Sequence, residues 1–213
     1  MDSPETQPLV SAMCLTRNRR TMLSTVISAF LSQTYPNREL VILNDLDAES
    51  ITDLIPPDQR IKEVLLPKLN IGAKRCHALD HCSGEIVIHW DDDEIHSPHR
   101  MTDQVTRLIN SSKQVTGYHT FKARDLTKEE PREWLYEGQH TYACGSSLCY
   151  FRSWALAHPF ETLQIGEDNI FSATATRLNQ LITSHAEDFL IAGIHPGNTD
   201  RKRVECYPWK ALP

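Results

Sequence analysis

The chain has 213 residues, a formal net charge of −6 and 40% apolar residues, values that suit one soluble α/β domain. No apolar run approaches the roughly 20 residues that cross a bilayer, and the polar, acidic N-terminus does not read as a secretion signal. The negative charge disfavours nucleic acid as a partner of the whole surface. The six cysteines form no CxxC pair, so we expect free thiols and a cytoplasmic location.

The first half of the chain predicts a strand–helix–strand unit. Residues 9–15 are apolar nearly throughout, as in a central parallel strand, and they run into a polar turn at residues 16–20. Thr21 is a candidate cap for the helix that follows. A second strand, residues 39–43, ends at Asn44 and Asp45. Such a unit is expected to be right-handed, with both polar strand ends at one edge of the sheet.

A third strand, residues 61–65, precedes a helix predicted over residues 70–81. This helix begins with Gly72, Lys74 and Arg75. Free backbone N–H groups, the helix dipole and two cations would favour an anion such as a phosphate. The alternative is a solvated helix with two surface cations.

The most informative stretch is the acidic run at Asp91–Glu94, which follows a strand at residues 85–90 that is typical of a buried element. Four adjacent carboxylates repel one another unless positive charge lies among them. Ligands of open α/β sheets collect at the carboxyl ends of strands, so the run indicates a hard divalent cation held by oxygen ligands. A solvated acidic turn is the alternative. An EF-hand loop is excluded, because Ile95 and His96 occupy positions that need a polar ligand and a glycine.

The second half predicts further alternation. Small residues around Gly145 suit a close approach of backbone to a ligand, and Glu167 and Asp168 at a helix start suit simple capping. His96 and His99 are expected at the surface. The predicted helices cover residues 98–110, 151–158 and 166–178, the strands cover residues 114–121 and 189–194, residues 124–134 form a charged surface excursion, and residues 200–213 form a basic, aromatic tail without periodicity.

Six of these segments together resemble the family 2 glycosyltransferases. Residues 10–19 (VSAMCLTRNR) are similar to that family's VSVIIPTYNR, and residues 32–40 (SQTYPNREL) to its SQTYPNxEL. The remaining four are Asn70-Ile71-Gly72 for NxG, Gly84-Glu85 with Asp91-Asp92-Asp93 for GEYIxxLDxDD, Gly145-Ser146-Ser147 for the glycine–serine motif, and Gly166-Glu167-Asp168 for the ED motif. Their order and spacing cover most of the chain.

The resemblance implies a GT-A fold, an α/β/α sandwich with a mostly parallel central sheet. It implies one domain over residues 1–213, with a nucleotide-sugar half at about 9–110, an acceptor half at about 111–198 and a tail at 199–213. It also implies a Mn²⁺ or Mg²⁺ cofactor and inverting sugar transfer from a nucleotide-sugar, with a UDP-sugar as the default donor.

Roles for individual residues also follow from the resemblance. Asp168, with Glu167 beside it, would be the catalytic carboxylate that takes the acceptor proton. Asp91, Asp93 and His195 would hold the metal, and Asp92 the ribose or metal. The remaining donor contacts would be Thr16, Arg17, Asn18 and Asp45 at the base and ribose, and Lys74 and Arg75 at the diphosphate.

The chain departs from the family pattern where the base would bind, because Arg17 replaces a tyrosine and Asn44-Asp45-Leu46-Asp47 replaces DDGS. A nucleotidyltransferase and a non-catalytic glycan-binding module are the competing classes, although the polar turn at residues 16–20 lacks the glycines of a phosphate loop. The acceptor stays open between a glycan, a protein, a small molecule and a hydroxylated base in DNA. The sequence indicates no particular oligomeric state.

The DNA alternative rests on basic residues in two segments. A solvated charged rim is the simpler interpretation of both. The residues are Lys122, Arg124, Lys128 and Arg132 in the acceptor half, and Arg201, Lys202, Arg203, Tyr207 and Trp209 in the tail.

Overall fold

A computed structural model describes residues 7–186, 188–199, 204–205 and 208–212. Within these residues one sheet contains eleven strands, and five α-helices flank it. The strands are β1 (Val10–Leu15), β2 (Arg38–Asp45), β3 (Ile61–Leu66), β4 (Ile86–His89), β5 (Ile95–His96), β6 (Val115–Asp125), β7 (Glu133–Glu137), β8 (Cys149–Phe151), β9 (Leu181–His185), β10 (Leu190–Ile194) and β11 (Trp209–Ala211). The helices are α1 (Arg20–Leu31), α2 (Ile71–His81), α3 (Arg100–Asn110), α4 (Arg152–Ala157) and α5 (Glu167–Arg177).

The sheet is mostly parallel, as the sequence predicts. The strand order is β11-β7-β6-β8-β4-β1-β2-β3, and β9 and β10 pair with β6. Strands β1 to β4 run in one direction, β6 runs with them, and β8 enters between β4 and β6 in the opposite direction. Parallel strands linked by helices place their carboxyl ends at one edge, which is where the polar strand ends come together.

Apolar side chains on both faces of the sheet explain why its central strands read as continuous apolar runs. Alternate residues point to opposite faces. On one face Ala12 and Ile42 pack under α1 and α3, and on the other Met13 and Val41 pack under α2, α4 and α5. The predicted sandwich of two helical layers around the sheet is therefore confirmed.

The acidic run is a tight connection between two strands. It leaves β4 and returns at once as β5, which pairs antiparallel with β10. Trp90, fully buried, stacks on His96 with 3.8 Å between ring centroids, and the buried guanidinium of Arg100 donates to the His89 carbonyl at 2.8 Å. The prediction that His96 lies at the surface is wrong, because this ring closes the core beneath the acids. Buried residues therefore fix both ends of the acidic run, Trp90 before it and His96 after it.

Five strands were not predicted, namely β5, β7, β8, β9 and β11, and each has only two to five residues. The segment 124–134 is less of an excursion than expected, since β6 continues to Asp125 and β7 starts at Glu133. Strands β9 and β11 also form, and β11 gives the tail a regular element. Thr21 lies inside α1, whose first turn has no side-chain cap.

Five cysteines within the described residues are free thiols, as expected; Cys206 lies outside those residues. The tail residues Arg201, Lys202, Arg203 and Tyr207 also lie outside them. Among the helices that the structure describes, none has the length and apolar character needed to traverse a bilayer.

The pH dependence of stability follows from three buried histidines, His89, His96 and His119. Burial lowers the pKa of each, and burial together with the neighbouring His140 and His185 lowers the pKa of His119 to about 4. These rings stay neutral in the folded chain but take up protons in the unfolded chain below about pH 6.5. Their contribution is therefore complete above pH 6.5 and is lost as the pH falls towards 4.

We expect His119→Gln to reduce this loss. Melting temperatures at pH 7 and pH 5 should differ by less in the variant than in the unchanged chain. The same substitution at the exposed His99 is the control, and it should leave the difference unaltered. An equal effect of both substitutions would contradict the assignment to His119.

Candidate active site

A cleft of about 610 Å³ opens at the carboxyl edge of the parallel strands. It brings together most residues that the sequence assigned to a donor, a metal and a catalytic base. Those that line it are Thr16, Arg17, Asp45, Lys74, Arg75, Asp91, Asp92, Asp93, Glu167 and Asp168. Asn18 does not line it: its backbone adopts a positive φ of 53°, and its side-chain oxygen accepts a hydrogen bond from the Glu49 N–H.

The first side of the cleft is an ion-pair network around Asp45, the last residue of β2. Asp45 is 3% exposed, and it contacts the Arg17 guanidinium and the Lys74 ammonium, both at 2.6 Å. Lys74 also donates to the Thr16 carbonyl at 3.1 Å. The network joins the ends of β1 and β2 to α2, which fixes the position of the turn after β1.

The alternative that Lys74 and Arg75 are solvated surface cations is wrong, since both are 5% exposed. Arg75 donates through Nε to Glu167 at 3.1 Å and lies 3.9 Å from Asp91. Its Nη1 is buried without a hydrogen-bond partner among the described residues. Burial raises the pKa of Glu167, and the guanidinium opposes that rise. Arg75 therefore has an unsatisfied donor beside an acidic cleft.

The acidic run divides into two roles. Asp92 is buried and accepts from the Thr16 hydroxyl at 2.7 Å and from Arg19 at 2.5 Å. Asp91, Asp93 and Glu94 each offer a carboxylate oxygen, and these oxygens lie within 4.8 Å of one another. Burial raises the pKa of Asp91, and it raises the pKa of Asp92 to about 6. Holding these carboxylates close together in their charged form therefore costs free energy, and a nearby positive charge would reduce that cost.

The three gathered carboxylates fit a hard divalent cation. Their ligand atoms are all oxygens, the type that Mg²⁺ and Mn²⁺ prefer. The unsatisfied Arg75 donor indicates that an anion completes the same region. Sequence reasoning missed Glu94, although it is the fourth acid of the run. The sequence alone did not indicate that Asp92 would pair with Thr16 and Arg19, which leaves Glu94 as the third carboxylate of the group.

His195 lies against the metal-ligand candidates and not among them. The Gly197 N–H donates to Nδ1 at 3.1 Å, so the neutral ring holds its proton on Nε2, which lies 3.0 Å from Asp93 Oδ2. Asn198 donates to the same oxygen at 3.0 Å. This arrangement orients Asp93, a supporting role that ligand carboxylates commonly require.

Arg19 is a cation to which the sequence pattern assigned no role. Its guanidinium contacts Asp92 at 2.5 Å and Asp93 at 3.2 Å, and it donates to the Gly197 carbonyl. It therefore connects the turn after β1, the acidic run and the loop after β10. The signal was available, because four adjacent carboxylates require a positive partner and residues 16–20 contain three arginines.

Asp168 also lines the cleft, from the first turn of α5. Its carboxylate lies against Gly145, so closely that a methyl group at residue 145 would overlap Oδ2 and Cγ. Gly145 and Ser146 belong to a short 3₁₀ turn, Gly145–Ser147, that also lines the cleft. The glycine is thus needed for a close approach of the Asp168 side chain, whereas the predicted close approach to a ligand stays a prediction.

Two comparisons relate the chain to known proteins. The family profile described as Glycosyl transferase family 2 matches residues 11–179. Among solved structures, S. aureus TarS 1-349 in complex with UDP-GlcNAc aligns with a TM-score of 0.72 at 16% identity, covering 90% of this chain and 60% of that one. The mannosyltransferase PcManGT from Pyrobaculum calidifontis, in complex with GDP-Man and Mn²⁺, aligns with a TM-score of 0.70 at 16% identity, covering 94% of this chain and 59% of that one. The chain therefore spans about three fifths of the length of these two structures.

We expect Arg19→Gln to lower the folding stability of the metal-free chain, because Asp92 and Asp93 lose the cation that they share. A loss of about 2 kcal/mol corresponds to a melting temperature lower by several degrees in EDTA. Mn²⁺ should then raise the melting temperature of the variant by more than that of the unchanged chain, since it neutralises the same carboxylates.

Arg20→Gln is the matched control, since Arg20 pairs with the exposed Asp53. Exposed pairs contribute little, so this variant should melt close to the unchanged chain and respond to Mn²⁺ as it does. An equal response to Mn²⁺ in Arg19→Gln would show that Arg19 does not neutralise the metal-binding carboxylates.

Proposed function

Because the chain belongs to glycosyl transferase family 2, we propose that it transfers a sugar from a nucleotide-sugar to an acceptor hydroxyl by a metal-dependent, inverting reaction. The observation that carries this proposal is one cleft lined both by carboxylates that fit a divalent cation and by the carboxylate of Asp168. Sugar transfer needs both, since negative charge develops on the leaving diphosphate while the acceptor loses a proton.

The donor side is proposed to consist of the ends of β1 and β2 with the start of α2. Arg17, Asp45 and Thr16 line the cleft where the base and ribose would lie. Arg75 would donate its unsatisfied Nη1 to a diphosphate oxygen, while Lys74 holds Asp45 in place. A UDP-sugar remains the proposed donor; the similar TarS structure contains UDP-GlcNAc, whereas the similar PcManGT structure contains GDP-Man.

Asp91, Asp93 and Glu94 are proposed to hold Mn²⁺ or Mg²⁺. When bound, such an ion supplies Lewis-acid stabilisation of the diphosphate charge. His195 and Asn198 would fix the orientation of Asp93, and Asp92 would hold Thr16 and Arg19 at the edge of the donor site.

Asp168 is proposed as the general base. Its carboxylate takes the proton of the acceptor hydroxyl as the hydroxyl oxygen bonds to the anomeric carbon. The bond from that carbon to the phosphate oxygen breaks, and its electron pair leaves with the diphosphate. Attack opposite the leaving group inverts the anomeric configuration. Glu167 supports this step from the interior, because it pairs with Arg75 and so positions the start of α5.

These assignments carry the proposed division of one domain into a donor half at residues 9–110 and an acceptor half at residues 111–198. A cytoplasmic location is proposed with them, on the free thiols alone.

We expect the unchanged chain to hydrolyse a nucleotide-sugar slowly with Mn²⁺, using water as the acceptor, and Asp168→Asn to lose about 10²- to 10⁴-fold of that rate. The measurement is nucleotide release from a set of UDP- and GDP-sugars. Removal of the ion with EDTA should abolish release. Near-normal release by Asp168→Asn would exclude this residue as the base.

Thermal stabilisation by the same donors is the control for folding and donor binding. Because Asp168 faces the acceptor, Asp168→Asn should keep the stabilisation by donor and Mn²⁺. A chain that binds nucleotide-sugars but releases no nucleotide under any condition would be a non-catalytic module, and the proposed activity would fail.

We expect Gly145→Ala to displace the Asp168 carboxylate, since the added methyl group would overlap it. The carboxylate is the far end of a side chain and can move, so the melting temperature should change little while donor hydrolysis falls at least tenfold. In an Asp168→Asn background the same change should cost little further activity. Full additivity of the two losses would mean that Gly145 acts independently of Asp168.

A further inference from the structure

The cleft has a second half that the donor chemistry does not use. Four aromatic side chains line it, and we call them the aromatic wall: Phe121, Tyr136, Tyr142 and Trp209. They come from β6, β7, the segment before the Gly145 turn, and β11. Three of the four are half-buried and Phe121 is buried, so the wall presents ring surface to the cleft.

Strand register builds the wall. Phe121 pairs with Tyr136 across β6 and β7, and Tyr136 pairs with Trp209 across β7 and β11. The ring centroids of Phe121 and Tyr136 are 4.9 Å apart, and those of Tyr136 and Trp209 are 5.0 Å apart. Cross-strand aromatic rows of this kind hold one another in place, so the wall is a fixed surface.

The wall stands next to the proposed base. Tyr142 is 5.7 Å from Tyr136 between ring centroids, and the chain continues from it through Cys144 to Gly145, which touches the Asp168 carboxylate. A molecule packed on the wall would therefore have its far edge close to Asp168. That is the position an acceptor needs if its hydroxyl is to give a proton to Asp168.

None of the described basic residues of the acceptor half and the tail lines the cleft beside the wall. Lys122 pairs with Asp188 at 2.6 Å, Arg124 pairs with Glu133, and Lys128 lies 3.8 Å from Asp125. Lys210 forms an ion pair with Glu137. Nucleic acid binding depends on cations that neutralise phosphates, and these four already have carboxylate partners in the part of the chain described. An aromatic surface that has no cation beside it in the cleft, among the described residues, suits an uncharged ring.

We propose that the aromatic wall is the acceptor subsite and that it binds a neutral saccharide ring. The apolar face of a pyranose packs on aromatic rings, and its hydroxyl rim needs groups that both donate and accept hydrogen bonds. Gln164, Asn169 and Thr199 supply such groups, and they line the same cleft. This inference rests on the proposed function, because it assigns the acceptor of that reaction.

The experiment measures binding of three neutral disaccharides, cellobiose, mannobiose and chitobiose, by saturation-transfer NMR in the presence of UDP and Mn²⁺. At least one should bind, and Trp209→Leu and Tyr136→Leu should each weaken that binding about tenfold, the change that loss of one aromatic contact of about 1.4 kcal/mol produces. A single-stranded oligonucleotide containing 5-hydroxymethylcytosine is the polyanionic arm.

Trp134→Leu is the matched control. Trp134 is half-buried in the same part of the sheet, opposite Ala211, but it does not line the cleft. This variant should bind the disaccharide within about twofold of the unchanged chain. Melting temperatures identify any variant that fails to fold, and the second wall variant then decides the result.

The inference is overturned if none of the three disaccharides binds. An equal loss in Trp134→Leu also overturns it, as does oligonucleotide binding that falls with the same wall variants. Thermal stabilisation of the unchanged chain by nucleotide-sugar and Mn²⁺ is measured in the same series. Donor stabilisation without disaccharide binding refutes only the subsite, whereas disaccharide binding without donor stabilisation refutes the proposed function and leaves a glycan-binding surface.

Discussion

The constraint on which this structure depends is the confinement of four consecutive carboxylates at the end of a buried strand. Asp92 and Glu94 are 2% and 5% exposed, so water screens their charge poorly. Two cations from distant segments lie close to these carboxylates: Arg19 from the turn after β1, and Arg75 from α2. These ion pairs join the turn after β1 and α2 to the acidic run, and they therefore help to fix the relative positions of the three segments.

The same carboxylates connect the two halves of the chain. Asp93 receives hydrogen bonds from His195 and Asn198 in the loop after β10, and a side chain at Gly193 would overlap the Asp93 carbonyl. Strand β5 continues from the acids and pairs with β10. Asp93 therefore connects the acidic run to the loop containing Gly197, Asn198 and Thr199, which lines the same cleft as the aromatic wall.

Much of the fold could be predicted from the sequence because its central strands are defined by local patterns. Strand β1 and helix α2, for example, were placed within one residue of their bounds, since an apolar run and an Asn70 cap act over short distances. Strands β5, β7, β8, β9 and β11 have two to five residues each, too few for a local pattern to specify them. The site shows the same division. Asp168 and Asp93 belong to motifs, whereas the buried state of Lys74 and the contacts of Arg19 follow from tertiary packing.

The residues that line the cleft carry an excess of negative charge. Within the described residues, seven acidic and four basic side chains line it, which leaves three formal negative charges. A nucleoside diphosphate adds more negative charge, and in a partly buried site repulsion would oppose its binding. A divalent ion on Asp91, Asp93 and Glu94 would remove most of that excess, so metal and donor should bind with positive coupling. The four residues of the aromatic wall add no charge to the cleft. The proposed donor and acceptor subsites would thus separate a charged partner from an uncharged one, as a sugar transfer from a nucleotide to a glycan would require.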